Sequence, residues 1–251
     1  MIVASAALRP SGLQPILAPA AAAPSLHALF QRQPVETVEP GAAIAWEGDP
    51  ADHVFAIESG VMRAFRVLPD GRRVIVAFLY PGDLVGVAAA DLHACTVEAV
   101  NAVRLRRLGR NRFREAVEAS PTLWSQYTTL LCAEMAAAQD HAVVLARKSA
   151  EERVCNLLLR LARRADEICG NACVIDLPIS RLDMADHLGL TIETVSRTMT
   201  NLAGRGIVAA NGRHTLAIRR LAMLANLAGE DAGADNRGST SRAARQAARP
   251  H

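Results

Sequence analysis

The chain has 251 residues, of which 51% are hydrophobic and 4% aromatic, and its 28 basic against 25 acidic residues leave a net charge of +3. This length allows one large domain or two modest ones, and the hydrophobic content excludes a wholly disordered polyelectrolyte. No apolar run approaches the roughly 20 residues of a membrane span, and five cysteines make no disulfide framework, so we expect a soluble, cytoplasmic protein without a membrane partner.

The N-terminal part of the chain has the pattern of a tail followed by a β-domain. Residues 1–24 are rich in proline and alanine without periodicity, which predicts a disordered N-terminal tail. Over residues 25–118, β-prone runs such as Ala51–Ile57, Val61–Val67 and Val74–Leu79 alternate with turn signals. This spacing predicts a small barrel or double-sheet roll.

A long helix is predicted over residues 119–147, with Pro121 at its start. Its apolar residues recur at spacings of four and three, which is typical of a seam that joins two helices in a dimer. The alternative is a helix that packs on its own barrel. Because the helix has a second apolar face, we expect it to do both. The seam has no charged residue, which favours a constitutive dimer. The seam residues are Trp124, Thr128, Leu131, Met135, Ala138, Ala142 and Leu145.

A second domain is predicted over residues 148–226, followed by a disordered C-terminal tail over 227–251. The segment Ser149–Glu152 has the form of a capping box, so a helix should begin near Ala150. Residues 166–178 are predicted to form a loose linker. Within it, Cys169 and Cys173 are a candidate redox switch, and two ordinary linker thiols are the alternative.

Residues 179–220 carry the most informative pattern in the chain. A short amphipathic helix, Ile179–His187, is followed by a glycine turn and by Thr191, which can cap a second helix over Ile192–Ala203. Helix, short turn and helix form the helix-turn-helix pattern. Two β-prone runs flank the Asn211-Gly212 pair and predict a hairpin with a type I′ turn, so the whole segment predicts a winged helix.

Positive charge concentrates on the same segment, because five arginines and one acidic residue lie between positions 190 and 220. On the second helix, Glu193, Ser196 and Arg197 lie opposite the apolar face. Arginine can bind O6 and N7 of guanine, glutamate can accept from N4 of cytosine, and Ile192 can contact a thymine methyl. The alternative is a surface ion pair between Glu193 and Arg197. The candidate DNA-binding residues are Thr191, Ile192, Glu193, Ser196, Arg197 and Arg213.

The stretch Leu182–Arg197 closely resembles the winged-helix signature of the CRP/FNR transcription-factor superfamily, and the likeness extends to Gly60–Arg63 and Pro81–Gly86. This resemblance implies an α+β fold with an N-terminal β-roll of the cyclic-nucleotide-binding type, a long dimerisation helix and a C-terminal winged helix-turn-helix. It implies a homodimeric transcription regulator, expected to be an activator, whose partners are double-stranded DNA, its own second copy and RNA polymerase.

Within the superfamily, the second helix resembles the FNR and FixK branch, which carries Glu-x-x-Ser-Arg. The matching residues here are Glu193, Ser196 and Arg197. The resemblance implies a palindrome of the TTGA-N6-TCAA type and control of genes for low-oxygen metabolism. It places Arg197 and Glu193 on the G·C pair and Ser196 on a thymine.

The predicted roll lacks the residues by which superfamily members sense ligands. Cyclic-nucleotide binders carry Gly-Glu-Leu followed by an arginine, whereas Gly82-Asp83-Leu84 is followed by no arginine up to Glu98, which leaves a bound phosphate without a cation. An iron–sulfur cluster of the FNR type needs four thiolates, and residues 1–94 contain no cysteine, which favours a FixK-like protein.

A haem site in the predicted roll is an alternative that the sequence leaves open. His93 and Cys95, two apart on a predicted strand, permit haem, and a sensor in which a ligand in the roll controls DNA binding is the alternative function. No catalytic, phosphate-binding or zinc motif stands out, so we expect no enzyme, no metal and no cofactor.

Overall fold

The computed structural model describes residues 24–88, 91–164, 168–169 and 172–230. Apart from Pro24 and residues 227–230, the two predicted tails lie outside the described residues. A β-rich part comes first, three helices follow, and a small sheet mixed with helices completes the described chain. This order is the one that the resemblance implies.

The N-terminal part is a roll of two four-stranded antiparallel sheets, ordered β1-β8-β3-β6 and β2-β7-β4-β5. Its interior lies between the sheets and includes Phe55, Met62 and Leu105. The predicted double-sheet fold is confirmed. The strands are β1 (Val35–Val38), β2 (Ala43–Ala45), β3 (His53–Ser59), β4 (Met62–Val67), β5 (Arg73–Leu79), β6 (Leu84–Val85), β7 (Thr96–Ala99) and β8 (Val103–Gly109).

Strand β8 illustrates why this sequence forms a roll. Val103 and Leu105 are almost completely buried, whereas Arg104 and Arg106, which alternate with them, reach Glu58 of the neighbouring β3. Successive side chains on a strand point to opposite faces, so one face of β8 fills the interior and the other carries ion pairs.

The turn at Ser59-Gly60 depends on its glycine. Gly60 has φ +85°, and a Cβ atom at this position would collide with the carbonyl oxygen of Ala102 and with Val103. The turn between β3 and β4 therefore approaches the backbone before β8 so closely that only glycine fits.

Three helices connect the roll to the second part: α1 (Arg110–Glu118), α2 (Pro121–Arg147) and α3 (Ala150–Arg164). Pro121 lies in the first turn of α2, as predicted, and the Ser120 hydroxyl accepts a hydrogen bond from the amide of Leu123. The predicted capping box at the start of α3 is also present. The Ser149 amide donates to the Glu152 carboxylate at 2.7 Å, and the Glu152 amide donates to the Ser149 hydroxyl at 3.4 Å.

The second part is a winged helix whose sheet has the order β11-β12-β10-β9. Its interior joins the apolar faces of α3, α4 and α5 to the inner face of this sheet. The remaining elements are β9 (Ile168–Cys169), β10 (Ala172–Asp176), α4 (Arg181–Leu188), α5 (Ile192–Gly204), β11 (Val208–Ala210), β12 (Thr215–Ile218) and α6 (Leu221–Leu227).

The predicted link over residues 166–178 is wrong in part, because β9 and β10 lie within it. Cys173 and Ile175 of β10 are buried and pair with Ile218 and Leu216 of β12. The alternate residues of the strand are exposed. The partner strand that makes this segment a strand lies some 40 positions later in the chain, outside the reach of a local pattern.

The predicted two-residue type I′ turn at Asn211-Gly212 is also wrong. That turn needs positive φ at both residues, and only Gly212 has it. The strands end at Ala210 and begin again at Thr215, and the amide of Asn211 donates to the carbonyl of Thr215 at 3.1 Å. A longer loop therefore connects β11 to β12.

The predicted C-terminal tail begins too early, because residues 227–230 contact α3 and Lys148, which precedes it. Ala228 is fully buried, and its carbonyl accepts a hydrogen bond from Nζ of Lys148 at 2.6 Å. The Glu230 carboxylate accepts hydrogen bonds from Asn156 and Arg163 of α3. These contacts extend the second part to at least residue 230.

Candidate nucleic-acid interface

Helix α5 is held by its cap and by its apolar face. The Thr191 hydroxyl accepts a hydrogen bond from the amide of Thr194 at 3.2 Å, as predicted for a helix cap. Val195, Met199 and Leu202 are at most 5% exposed and belong to the winged-helix core. Their spacing of four and three places them on one face, so the opposite face points to solvent.

The predicted base-contacting residues lie together on this outer face. Ile192 is 41% exposed, and Glu193, Ser196 and Arg197 are exposed as well. Within the described part of the chain no ion pair joins Glu193 to Arg197, so the alternative of a surface ion pair gains no support. Both side chains are exposed, so a ligand can reach them.

Glu193 is held in its charged form. A hydrogen bond from its own backbone amide and one from the Thr191 hydroxyl lower the pKa of this carboxyl, and the charge of Arg197 adds to the shift. A carboxylate that stays ionised accepts hydrogen bonds and donates none, which suits the amino group of cytosine.

The other arginines of the segment differ in their surroundings. Arg213 is exposed on the loop between β11 and β12, and Arg219 and Arg220 are exposed after β12. Arg205, at the end of α5, is instead paired with Glu151 of α3 at 2.6 Å. The charges of Glu193 and Arg197 on α5 balance, so the excess positive charge lies around β12.

Helix α2 carries two different faces, as predicted. One face packs on the roll: Leu123 is buried, and the Tyr127 hydroxyl donates to the carbonyl of Val87 at 2.9 Å. The predicted seam on another face is largely open in a single chain, with Trp124 51% and Met135 58% exposed. Of the other seam residues, Ala138 and Ala142 are exposed, and Thr128, Leu131 and Leu145 are half-buried. Leu131 packs against the core of the roll, so it belongs in part to the first face.

The candidate redox switch is divided between the two short strands β9 and β10. Cys169 pairs with Ala172, and Cys173 pairs with Ile168, so the two cysteines are not directly opposite each other. Cys173 is 6% exposed, and burial raises the pKa of its thiol, which disfavours the reactive thiolate. The switch stays a prediction.

The segment of His93 and Cys95 is not the predicted strand. It lies before β7, and the backbone of His93 hydrogen-bonds to Gly48 and Asp49 in a turn of the roll. Because these residues are not in extended pairing, the alternation that would place both side chains on one face does not apply. Among the described residues, no group of three or more His, Cys, Asp or Glu side chains is arranged to hold a metal ion.

A polar cluster that the sequence analysis did not predict lies where α4 meets the roll and α2. Asp183 and Asp186 of α4 form ion pairs with arginines of β4 and β5, and His187 is 6% exposed between β5 and α2. One signal could have indicated it: the three polar residues lie three and four positions apart, so they share one face of a short helix.

His187 is kept neutral by its surroundings. Its Nδ1–H donates to the carbonyl of Ile75 at 3.0 Å, and its ring stacks on that of His141 at 4.2 Å. Burial, with the nearby positive charges of His141 and Arg160, lowers the pKa of His187 to about 4. The imidazole therefore stays uncharged near neutral pH.

This pKa predicts that acid destabilises the fold. Because the folded-state pKa of about 4 lies below the ordinary 6.5, the unfolded chain takes up a proton in that interval and the folded chain does not. The free energy of unfolding should fall by about 2 kcal/mol between pH 7 and pH 5, and by about 3 kcal/mol in all near pH 4.

Urea unfolding at several pH values measures this loss. His187→Asn, whose amide can still donate near the position of Nδ1, should flatten the decline over this interval whatever its own stability at pH 7. An equally steep decline in the variant would show that other groups cause it.

No helix in the described part of the chain is long and apolar enough to cross a bilayer.

Comparison with known proteins finds relatives for both parts of the chain. Residues 35–120 match the cyclic nucleotide-binding domain family, and residues 152–227 match the Crp-like helix-turn-helix domain family. The nitrogen fixation regulation protein FixK of Bradyrhizobium diazoefficiens is 39% identical over 169 residues, which are 67% of this chain and 71% of that protein. The protein of the same name from Rhizobium meliloti is 36% identical over 193 residues, which are 77% of this chain and 86% of that protein.

The fold of this chain is also similar to a solved structure of a FixK protein. FixK2 from Bradyrhizobium japonicum has a TM-score of 0.73 and 33% sequence identity, and the match covers 80% of this chain and 98% of that one. The similarity therefore extends over the roll, the long helix and the winged helix together.

Proposed function

Since the chain belongs to the CRP/FNR family of DNA-binding transcription regulators, which are not enzymes, we propose that it acts as a FixK-like activator of low-oxygen genes. Two copies bind a palindrome of the TTGA-N6-TCAA type in the cytoplasm and act on RNA polymerase. The observation that carries this proposal is the exposed face of α5, on which Glu193, Ser196 and Arg197 lie. The helix is capped by Thr191, and its opposite face is buried in the core.

The contacts to the bases follow from the chemistry of this face. Arg197 donates two hydrogen bonds to O6 and N7 of guanine, and the ionised Glu193 accepts from N4 of the paired cytosine. Ser196 contacts thymine, and Ile192 contacts the methyl group of a thymine. Arg213, on the loop after β11, binds a phosphate and adds affinity without reading sequence.

The second copy is supported by α2. A helix of 27 residues is about 40 Å long, and an apolar stripe exposed along it is unfavourable in water. Pairing two such stripes buries them and relates two α5 helices by a two-fold axis. A palindrome requires that symmetry, with its half-sites one helical turn, about 34 Å, apart.

A titration of ligand-free protein tests the proposal. Fluorescently labelled duplexes carrying TTGA-N6-TCAA or a scrambled sequence are compared at one fixed salt concentration. We expect the palindrome to bind about 10³-fold tighter or better without any added effector. Equal affinity for both duplexes would contradict the proposed function, and binding that appears only with haem or another effector would support the sensor alternative.

Sedimentation of the same protein without DNA tests the dimer. We expect a dimer at micromolar concentration with or without reductant, because the seam contains neither a charge nor a cysteine. A monomer under these conditions would contradict a constitutive dimer.

A further inference from the structure

We propose that a cluster of six side chains, Arg63, Arg73, His141, Asp183, Asp186 and His187, positions α5 for DNA by fixing α4 against the roll. We name it the interdomain cluster. The proposal rests on the DNA-binding function proposed above and adds the residues that set the direction of the reading helix. No bound effector is then needed to orient it.

The ionic half of the interdomain cluster joins β4 and β5 to α4. Oδ1 of Asp183 accepts from Nη1 of Arg63 at 2.8 Å and from Nη2 of Arg73 at 2.7 Å. Nε of Arg73 donates to Oδ2 of Asp186 at 2.8 Å. The Asp183 side chain is only 4% exposed, so these charge-assisted hydrogen bonds are shielded from water.

Both carboxylate oxygens of Asp183 accept hydrogen bonds. Its other carboxylate oxygen, Oδ2, accepts from the amide and hydroxyl of Ser180, which closes the capping box of α4. Arg63 in turn also pairs with Glu98 of β7. Since a buried carboxylate that loses its cation is costly, α4 is strongly held in this position.

The second half of the interdomain cluster brings in α2. The ring of His187 stacks on His141 of α2 at 4.2 Å with an interplanar angle of 9°, contacts the edge of Phe78 at 5.1 Å, and donates to the carbonyl of Ile75. Strand β5, the long helix and α4 therefore meet at one buried point. This links the winged helix to the element on which the dimer seam lies.

A separate contact holds α3 to the roll. The Arg164 guanidinium donates to both oxygens of Asp83, at 3.1 and 3.3 Å, and lies 4.8 Å above the ring of Tyr80. Two elements of the winged helix thus contact the region from β5 to the turn after it. Such a two-point contact restricts rotation of the winged helix about the connection between α2 and α3.

The fixed orientation leaves the DNA-facing surface free. Helices α4 and α5 share one core and are joined by the turn at Gly189, which has the φ of +61° that this turn requires. Fixing α4 therefore fixes α5, and Glu193 and Arg197 stay exposed on the far side. A reading helix that is already oriented loses less conformational freedom when it binds, and so binds more tightly.

Charge exchange between Arg73 and Asp186 tests this role. Arg73→Asp and Asp186→Arg are measured singly and together against the palindromic duplex at fixed salt. Arg72→Asp is the matched control, because it makes the same charge change at the neighbouring position. The Arg72 side chain is 75% exposed, and among the described residues its ion-pair partner is Asp70, outside the interdomain cluster. We expect Arg73→Asp to weaken binding by about 10-fold or more beyond the control. The double exchange, with unchanged net charge, should recover about 3-fold or more of this loss, because it rebuilds the pair at position 186 with reversed charges while Asp183 keeps Arg63.

Hydrogen exchange without DNA reports on the contact itself. Amides of α4 should exchange faster in Arg73→Asp than in Arg72→Asp, and should be protected again in the double exchange. If the wild type does not discriminate the palindrome, the proposed function fails, and the exchange data still decide whether the cluster holds α4. Unchanged exchange, tighter DNA binding in Arg73→Asp, or no rescue would each overturn the proposal.

Discussion

Arg197→Ala should abolish most of the specificity for the palindrome while leaving a weaker, salt-dependent affinity for any duplex. Loss of a bidentate contact to guanine costs about 1–3 kcal/mol per half-site, so a dimer on two half-sites loses about 2–6 kcal/mol. In dissociation constants this is roughly 30-fold to 10⁴-fold. The measurement is a titration of both duplexes at one salt concentration.

Two control variants separate base reading from charge. Arg197→Lys keeps the charge but has no planar fork, so it should lose most of the specificity as well. Arg205→Ala removes one positive charge from the same helix at a side chain that is paired with Glu151, and it should leave the preference for the palindrome nearly unchanged. A loss of equal size on the palindrome and the scrambled duplex would mean that Arg197 binds only phosphate.

Changing the DNA sharpens this test. If Arg197 reads the guanine of TTGA, replacing that G·C pair should weaken the wild type and should have little further effect on Arg197→Ala. Independent, additive losses would instead assign the guanine to another side chain.

Ala138→Glu in the seam of α2 should convert the protein to a monomer and remove tight binding to the palindrome. The position is exposed in a single chain, so the variant should fold. In the proposed dimer two carboxylates would be buried against each other without partners, which is unfavourable. Loss of bivalent binding should weaken the affinity by about 10²-fold to 10⁴-fold. Sedimentation and the DNA titration measure the two effects.

Ala136→Glu is the matched control for this variant. It makes the same substitution on the same helix, also at an exposed position, but about 200° around the axis from Ala138. It should sediment and bind DNA as the wild type does. A dimer in Ala138→Glu with normal affinity would place the interface elsewhere.

The amino-acid sequence by itself determined the elements whose signals are local. The Thr191 cap and the spacing of Val195, Met199 and Leu202 determined where α5 lies and which face it exposes, because caps and i, i+3 and i, i+4 contacts act within a few residues. The capping box at Ser149 and the start of the long helix at Pro121 were readable for the same reason. The β-prone runs separated by turn signals likewise predicted the double-sheet roll.

The tertiary structure alone decided what depends on residues far apart in the chain. Strand β10 exists because β12 pairs with it, and His187 has a lowered pKa because α2 and β5 enclose it. Arg73 meets Asp183 and Asp186 across some 110 positions. No periodicity encodes such a contact, since it depends on how two finished domains pack, and with it the tertiary structure decided the direction in which α5 points.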